Sequence, residues 1–186
     1  MKYTIHGPFE IRTKRLKANK VVTRSKSAQK EFWNEVRKQD GNKLLPSACG
    51  CYLFAVRASK GIRPWYVGLA KRLTFEKECF TAHKINIYNE VLADQRRGVP
   101  VLFLIAKRTP KGKFAKRSSG KNGHADSAYL EDILIDVALD KNAKLMNVQK
   151  TKFLKNMCVP GLINTRRGKL TKSEKEFKRA IEKGTN

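Results

Sequence analysis

Two phenols, an imidazole and a carboxylate stand where they could act together. Tyr52 closes the tripeptide Gly50-Cys51-Tyr52, and Tyr66 opens Tyr66-Val67-Gly68. A phenol can hold a water molecule, and as phenolate it can take a proton. With an ordinary pKa of about 10, the second role needs a cation or a metal beside the oxygen. Glu131 lies in Leu130-Glu131-Asp132-Ile133-Leu134-Ile135, at the flank of an apolar stripe. A carboxylate beside an apolar face is costly to bury unless it is paired or holds a metal ion. His83 closes a charged segment containing Lys71, Arg72, Glu76, Lys77 and Glu78. Its imidazole suits acid–base work near neutral pH, and it suits equally the capping of helix-end carbonyls.

Positioning these groups takes strands and helices in alternation. The apolar runs on either side of Ala58-Ser59-Lys60-Gly61-Ile62-Arg63 are rich in aromatic and β-branched residues and predict a β-hairpin. Its two tyrosines can lie across from one another on one side of the sheet. Gly68 predicts a sharp turn into a helix reaching about Ala82. A further helix is expected over 86–97, and Val99–Ala106 reads as a third strand buried on both faces. Leu130, Ile133, Leu134 and Val137 recur at helical spacing and mark a core-facing stripe, with Asp132, Asp136 and Asp140 on the solvated side. Upstream, Ser27 is the expected N-cap of a helix carrying Ala28, Phe32, Trp33 and Val36, with Gly41 as its stop. Downstream, Phe153, Leu154, Met157, Val159 and Leu162 supply apolar anchors. Ser173 with Glu176 there predicts a capping box for a last helix in which Phe177, Ala180 and Ile181 pack inward before Gly184.

The fold class expected is α/β in the broad α+β sense, a small three-stranded, mainly antiparallel sheet flanked by helices. Residues 1–48 form a basic arm and helix, 49–150 the main domain, and 151–186 a basic extension with a terminal helix. Within the main domain, 107–123 holds seven Lys or Arg and no acid, which predicts a flexible basic loop able to order on a phosphate backbone.

Charge narrows the partners. The 186 residues include 41 Lys and Arg against 16 Asp and Glu, a net charge of +25, while 40% of residues are hydrophobic. A folded chain so basic attracts polyanions, and nucleic acid is favoured over a membrane surface because no long amphipathic helix with a basic face stands out. The longest apolar run, 99–106, is too short to span a bilayer, and no signal-peptide pattern opens the chain; a cytoplasmic protein is expected. Cys49, Cys51, Cys79 and Cys158 form no C-x-x-C pair, and His6, His83 and His124 are far apart, which argues against structural zinc.

Gly50-Cys51-Tyr52 and Tyr66-Val67-Gly68 resemble the paired signature of the GIY-YIG nuclease family, with Cys in place of the usual Ile. The order of further parts is similar: a basic segment with His83, a strand, a helix bearing Glu131, and then Asn147. The resemblance covers about residues 49–150. It implies a metal-dependent endonuclease that hydrolyses DNA phosphodiester bonds, in which Glu131 holds one divalent cation, Mg²⁺ or another such as Mn²⁺. Tyr52 or Tyr66 would position or deprotonate the attacking water, and His83 and Asn147 would orient water and neighbouring groups. Where the family's arginine would fall, near Glu76, this chain has an acid. The cation that meets the phosphate is then sought in Arg72, for its forked donors, in Lys77, for its spacing from Tyr66, or in Lys71. Contacts to the rest of the nucleic acid are expected from Lys71, Arg72, Lys107, Arg108, Lys111, Lys113, Lys116, Arg117, Arg166 and Arg167. The competing readings are a DNA- or RNA-binding protein on the same fold that does not cut, and a structural RNA-binding protein whose tyrosines are core.

Overall fold

A computed structural model describes all residues except 17, 18, 42, 96, 97, 119–122, 148, 149, 153–155, 161–167 and 182–186. The chain divides into two compact units, Met1–Asn147 and Val148–Asn186.

The first unit is built on a four-stranded antiparallel sheet, one strand more than expected. The hairpin pairs β4 (Gly50–Ala58) with β5 (Gly61–Ala70), and β4 also pairs with β6 (Val99–Arg108). The additional strand is β1 (Lys2–Glu10), which joins β6 and gives the order β1-β6-β4-β5. Part of the anticipated arm is thus an edge of the sheet. Tyr3, Ile5 and Phe9 hint in the sequence at short extended segments, and the long apolar β6 beside them supplies the partner that joins them into one strand. A short ribbon, β2 (Lys14–Leu16) with β3 (Asn19–Val21), follows.

Helix α1 (Lys26–Asp40) is capped two residues earlier than expected: Ser25, not Ser27, accepts from the Ala28 N–H at 3.1 Å. Its stop is the expected one, Gly41 at φ 67°. Phe32, Trp33 and Val36 are buried, and the Phe32, Trp33 and Phe80 rings meet edge to face. Under the sheet, Phe54 of β4 stacks on Tyr88 of the following helix with centroids 4.1 Å apart. This face, with α1 and α3 against it, holds the main core.

The segment after the hairpin differs from expectation. β5 continues through Gly68 to Ala70, and the expected helix from Gly68 is replaced by one turn, α2 (Phe75–Glu78), and a separate α3 (Ala82–Asp94). The helix expected over 86–97 is therefore the body of α3. Thr74 and Thr81 take extended backbone just before α2 and α3, and Thr81 divides the two helices.

The basic loop is also more ordered than expected as far as it is described. Lys107 and Arg108 belong to β6, and Phe114 bridges back to Arg108. Ala115 is buried, bonds the Lys107 carbonyl and in turn accepts from Cys49 N–H, while Ser118 N–H reaches Lys71 O. Residues 119–122 of this loop lie outside the described residues.

Helix α4 (Ala125–Lys141) covers the opposite face of the sheet, chiefly over β5, and is rotated from its expected orientation. Its buried stripe is Ser127, Glu131, Ile135 and Ala138, whereas Ile133 and Val137 are exposed. Glu131 is therefore at the centre of the packed face rather than at its flank.

In the second unit, α5 (Lys172–Ile181) opens with a capping box two residues earlier than expected, Thr171 with Glu174. Phe177 and Ile181 are 46% and 47% exposed rather than packed inward. Phe153, Leu154, Leu162, Arg166, Arg167 and Gly184 lie outside the described residues. Among the described residues, no helix is long and apolar enough to cross a membrane.

Candidate active site

The two tyrosine motifs are fitted to one another. Tyr52 does not oppose Tyr66 directly; it opposes Gly68, and Tyr66 opposes Phe54. The Tyr52 ring lies across Gly68 so closely that a Cβ there would fall 2.2 Å from Cζ and 2.4 Å from Oη. The glycine of the second motif is thus the floor on which the tyrosine of the first one rests, and Tyr66 is reached diagonally, with ring centroids 6.2 Å apart.

This arrangement separates the two phenols. Tyr52 is 0% exposed, and its Oη has no hydrogen-bond partner among the described residues. Burial first, then the acidic groups of Tyr88, Cys79, Tyr66 and Glu78, push its pKa well above the ordinary value. A phenol so placed is a poor proton acceptor. Tyr66 is 8% exposed, and its Oη accepts a hydrogen bond from Lys84 Nζ at 2.5 Å. The same ammonium stands 4.7 Å from the centre of the Tyr66 ring.

Lys84 reaches Tyr66 because α3 starts at Ala82, which puts Lys84 in the first turn beside β5. Glu78, at the end of α2, lies 4.0 Å from the same nitrogen. Glu78 has a raised pKa, first by burial and then by Glu131, against the lowering fields of Lys84 and His83. The two carboxylates therefore sense one another across the site. Glu131 is 8% exposed and comes from α4 on the other side of β5. Among the described residues, no three His, Cys, Asp or Glu side chains converge on one point. A buried carboxylate such as that of Glu131 suits a hard ion such as Mg²⁺, which keeps several of its waters and takes one or two protein oxygens.

Arg72 and Lys77 are exposed and make no side-chain hydrogen bond or ion pair among the described residues. Lys71 is half-buried and meets Ser118 through its backbone carbonyl. Glu76, where the family's arginine was sought, is paired with Arg37 of α1 at 3.0 Å and so faces the helix layer. His83 is exposed and acts on Glu78 through its field.

Asn147 has a definite place that differs from the expected water-orienting role. β5 is a sheet edge, and its outer side is covered by the segment after α4. Asn147 Oδ1 accepts from Val67 N–H at 2.9 Å, and its Nδ2 donates to Val67 O at 2.7 Å. Met146 N–H bonds Trp65 O, and Asn142 Nδ2 bonds Pro64 O. These side-chain and backbone bonds close an edge that would otherwise leave buried amides unmet. Asn147 is a positioning residue for the strand that carries Tyr66.

Of the expected nucleic-acid contacts, Lys107 and Arg108 are engaged internally. Lys107 Nζ pairs with Asp126 at 2.7 Å and donates to His124 Nδ1, while Tyr3 Oη donates to the other Asp126 oxygen. Arg108 donates to Thr4 Oγ1 and lies 3.7 Å over Phe114. Lys111, Lys113, Lys116 and Arg117 are exposed and open to a polyanion.

Two members of the site, Lys84 and Glu78, were not singled out from sequence. The available signal was Thr81, an extended residue preceding a helical apolar pattern at Ile85, Tyr88 and Leu92; a helix started there puts Lys84 one turn from Tyr66. Compared with models of known families, with curated proteins and with solved structures, the chain finds no match.

Proposed function

We propose that this protein is a metal-dependent endonuclease of the GIY-YIG type that hydrolyses DNA phosphodiester bonds. The observation that carries the reading is the Tyr66–Lys84 pair, a phenol with an ammonium on its oxygen, with Glu78 4.0 Å from that ammonium.

Tyr66 is the phenol that holds the attacking water and, as phenolate after giving up its own proton to solvent, takes a proton from it. Lys84 complements negative charge on the Tyr66 oxygen and lies near enough to meet a phosphate oxygen as charge builds in the transition state. Glu131 would hold the divalent cation, which would supply polarisation of the phosphoryl oxygen and support for the leaving oxygen. Tyr52 fixes the floor of the site through its contact with Gly68. His83 stays at the rim, where it can meet solvent and backbone phosphate. Lys84 takes the place in which Arg72 or Lys77 was sought.

The second reading is a DNA- or RNA-binding protein on the same fold that does not cut. The pairing of Glu76 with Arg37, at the place where the family's arginine was sought, favours it.

Supercoiled plasmid and branched DNA, incubated with Mg²⁺ or Mn²⁺ and separately with EDTA, decide between them. Metal-dependent nicking is expected. Glu131→Gln and Lys84→Met are each expected to fold as judged by circular dichroism, to cut at least about a hundredfold more slowly, and to keep DNA affinity within a few-fold. Absence of cutting by the native chain on every substrate, or full activity of Glu131→Gln, refutes the nuclease reading.

A further inference from the structure

One imidazole fastens the basic loop to the sheet and to the start of α4. His124 stands immediately before α4, and its two ring nitrogens meet different elements. Nε2 lies 2.8 Å from the Lys116 carbonyl of the loop, and Nδ1 lies 3.1 Å from Lys107 Nζ of β6. A carbonyl oxygen only accepts, so Nε2 carries the hydrogen. An ammonium only donates, so Nδ1 offers its lone pair. The two contacts together require the neutral ring in its Nε2–H form.

The backbone supplies a second observation. His124 has φ 55° and ψ 43°, a left-handed conformation that a residue with a side chain seldom keeps unless its surroundings hold it. Its carbonyl accepts from Ser127 and Ala128 N–H at 3.0 Å and 3.2 Å, which opens the helix. An N-cap side chain ordinarily turns to the free N–H groups of its own helix. This one makes no such bond and turns away to bridge the loop and β6.

The groups around the ring leave a second ring proton without an acceptor. Lys107 of β6 also pairs with Asp126 of α4 at 2.7 Å, and Tyr3 of β1 donates to the other Asp126 oxygen. Against the raising effect of burial, the bonds from Lys107 and Tyr3 hold Asp126 below the ordinary carboxylate value, while burial pushes Tyr3 up to about 12. Asp126 therefore stays charged and Tyr3 neutral on both sides of neutrality. The loop itself brings Lys116 and Arg117, both exposed, and no acid as far as Ser118. With both Asp126 oxygens engaged, a hydrogen added at Nδ1 would face the Lys107 ammonium. The ring is rigid, so a swing that takes Nδ1 off Lys107 also takes Nε2 off the Lys116 carbonyl.

From this geometry we infer that His124 is a pH-operated latch on the basic loop: neutral, it ties Lys116 to Lys107 and the start of α4, and on taking a second proton it lets the loop open from Lys116 onward. Lys111, Lys113, Lys116 and Arg117 are exposed in this loop, so the latch governs the freedom of cations suited to a polyanion. The inference rests on neither DNA binding nor cleavage.

The test uses the full chain without metal or DNA. An imidazole in water titrates near about 6.5. A proton taken up only by the unlatched ring raises the open population about tenfold between about pH 7.5 and about pH 5.5. Limited trypsin digestion, read by mass spectrometry, follows that population at the bonds after Lys116 and Arg117. Each rate is divided by that of the free peptide of residues 113–118, which removes the pH dependence of trypsin itself. The native ratio between the two pH values should be about ten. His124→Asn keeps a residue that tolerates the left-handed backbone but is too short to bridge, and should be cut at one normalised rate at both pH values, faster than the native chain at the higher one. Lys107→Met removes the opposing ammonium, so the ring can charge in place and the ratio should fall below about two. Nitrogen NMR of the native chain at the higher pH should show the His124 hydrogen on Nε2.

A native ratio below about two, or a tenfold rise that persists in His124→Asn or in Lys107→Met, overturns the inference. So does a ring hydrogen on Nδ1 at the higher pH. The native ratio and the position of the ring hydrogen are read without any variant, and each alone can refute the latch.

Discussion

Removing the Asn147 side chain tests whether the edge of β5 is held as the hydrogen bonds indicate. Asn147→Ala deletes both bonds to Val67, at 2.9 Å and 2.7 Å, while the residue that loses them is 0% exposed. Each buried backbone group left without a partner costs about 1–3 kcal/mol, so two together cost about 2–6 kcal/mol. The cavity vacated by the amide admits water to part of this edge, which brings the expectation to about 2–4 kcal/mol. For a unit of this size, that lowers the melting temperature by about 5–15 °C. Urea denaturation at pH 7, followed by circular dichroism, gives the free energy directly, and m should be unchanged because the surface exposed on unfolding is nearly the same. Asn147→Asp separates the two bonds: it keeps the acceptor for Val67 N–H but sets a carboxylate against Val67 O, and should be no more stable than the alanine variant. If Asn147→Ala unfolds within about 0.5 kcal/mol of the native chain, the clamp does not hold β5.

Gly68→Ala places a methyl 2.2 Å from Tyr52 Cζ, and since Tyr52 is fully buried the ring has nowhere to move; a loss of at least about 2 kcal/mol is expected, with the loss largely recovered in Gly68→Ala/Tyr52→Ala relative to Tyr52→Ala alone, and additivity of the two changes would refute the contact. Glu78 has a raised folded-state pKa, so the folded chain binds its proton more tightly than the unfolded chain does and loses stability as pH rises from the ordinary carboxyl value through the raised one. Glu78→Gln should therefore gain stability relative to the native chain between about pH 4 and neutrality, with no difference at lower pH, as read by thermal melts across that range; a constant difference at all pH values would show that burial and Glu131 do not act on this group.

The hairpin, the central β6 and the Gly41 stop of α1 were legible because each rests on local chemistry: alternation of apolar residues with a turn between, a continuous apolar run, and an αL glycine. Gly68 misled for a physical reason. A glycine inside an apolar run reads as a break, but here the missing side chain makes room for the Tyr52 ring, a cross-strand demand that no local pattern carries. The rotation of α4 has a similar origin. Its most apolar stripe runs through Ile133 and Val137, yet the helix buries Ser127 and Glu131 because those residues meet the β5 side of the sheet. Lys84 was hidden by the same error as the helix boundary, since a helix counted from Gly68 gives it the wrong phase. That Tyr66 rather than Tyr52 meets a cation, and that this cation is Lys84, depended on packing.

The order in which the parts of the site are synthesised has a consequence of its own. Tyr52, Tyr66, Glu78 and Lys84 leave the ribosome early, whereas Glu131 and the Asn147 clamp follow only after the whole of β6. β1, though made first, has no partner until β6 appears, because β6 lies between it and β4. An unfinished chain is already strongly basic and is surrounded by RNA, including the message that encodes it. On the nuclease reading, such a chain holds its phenol and its ammonium but lacks the carboxylate that would bind the metal. Competence to cut then coincides with completion of the Met1–Asn147 unit.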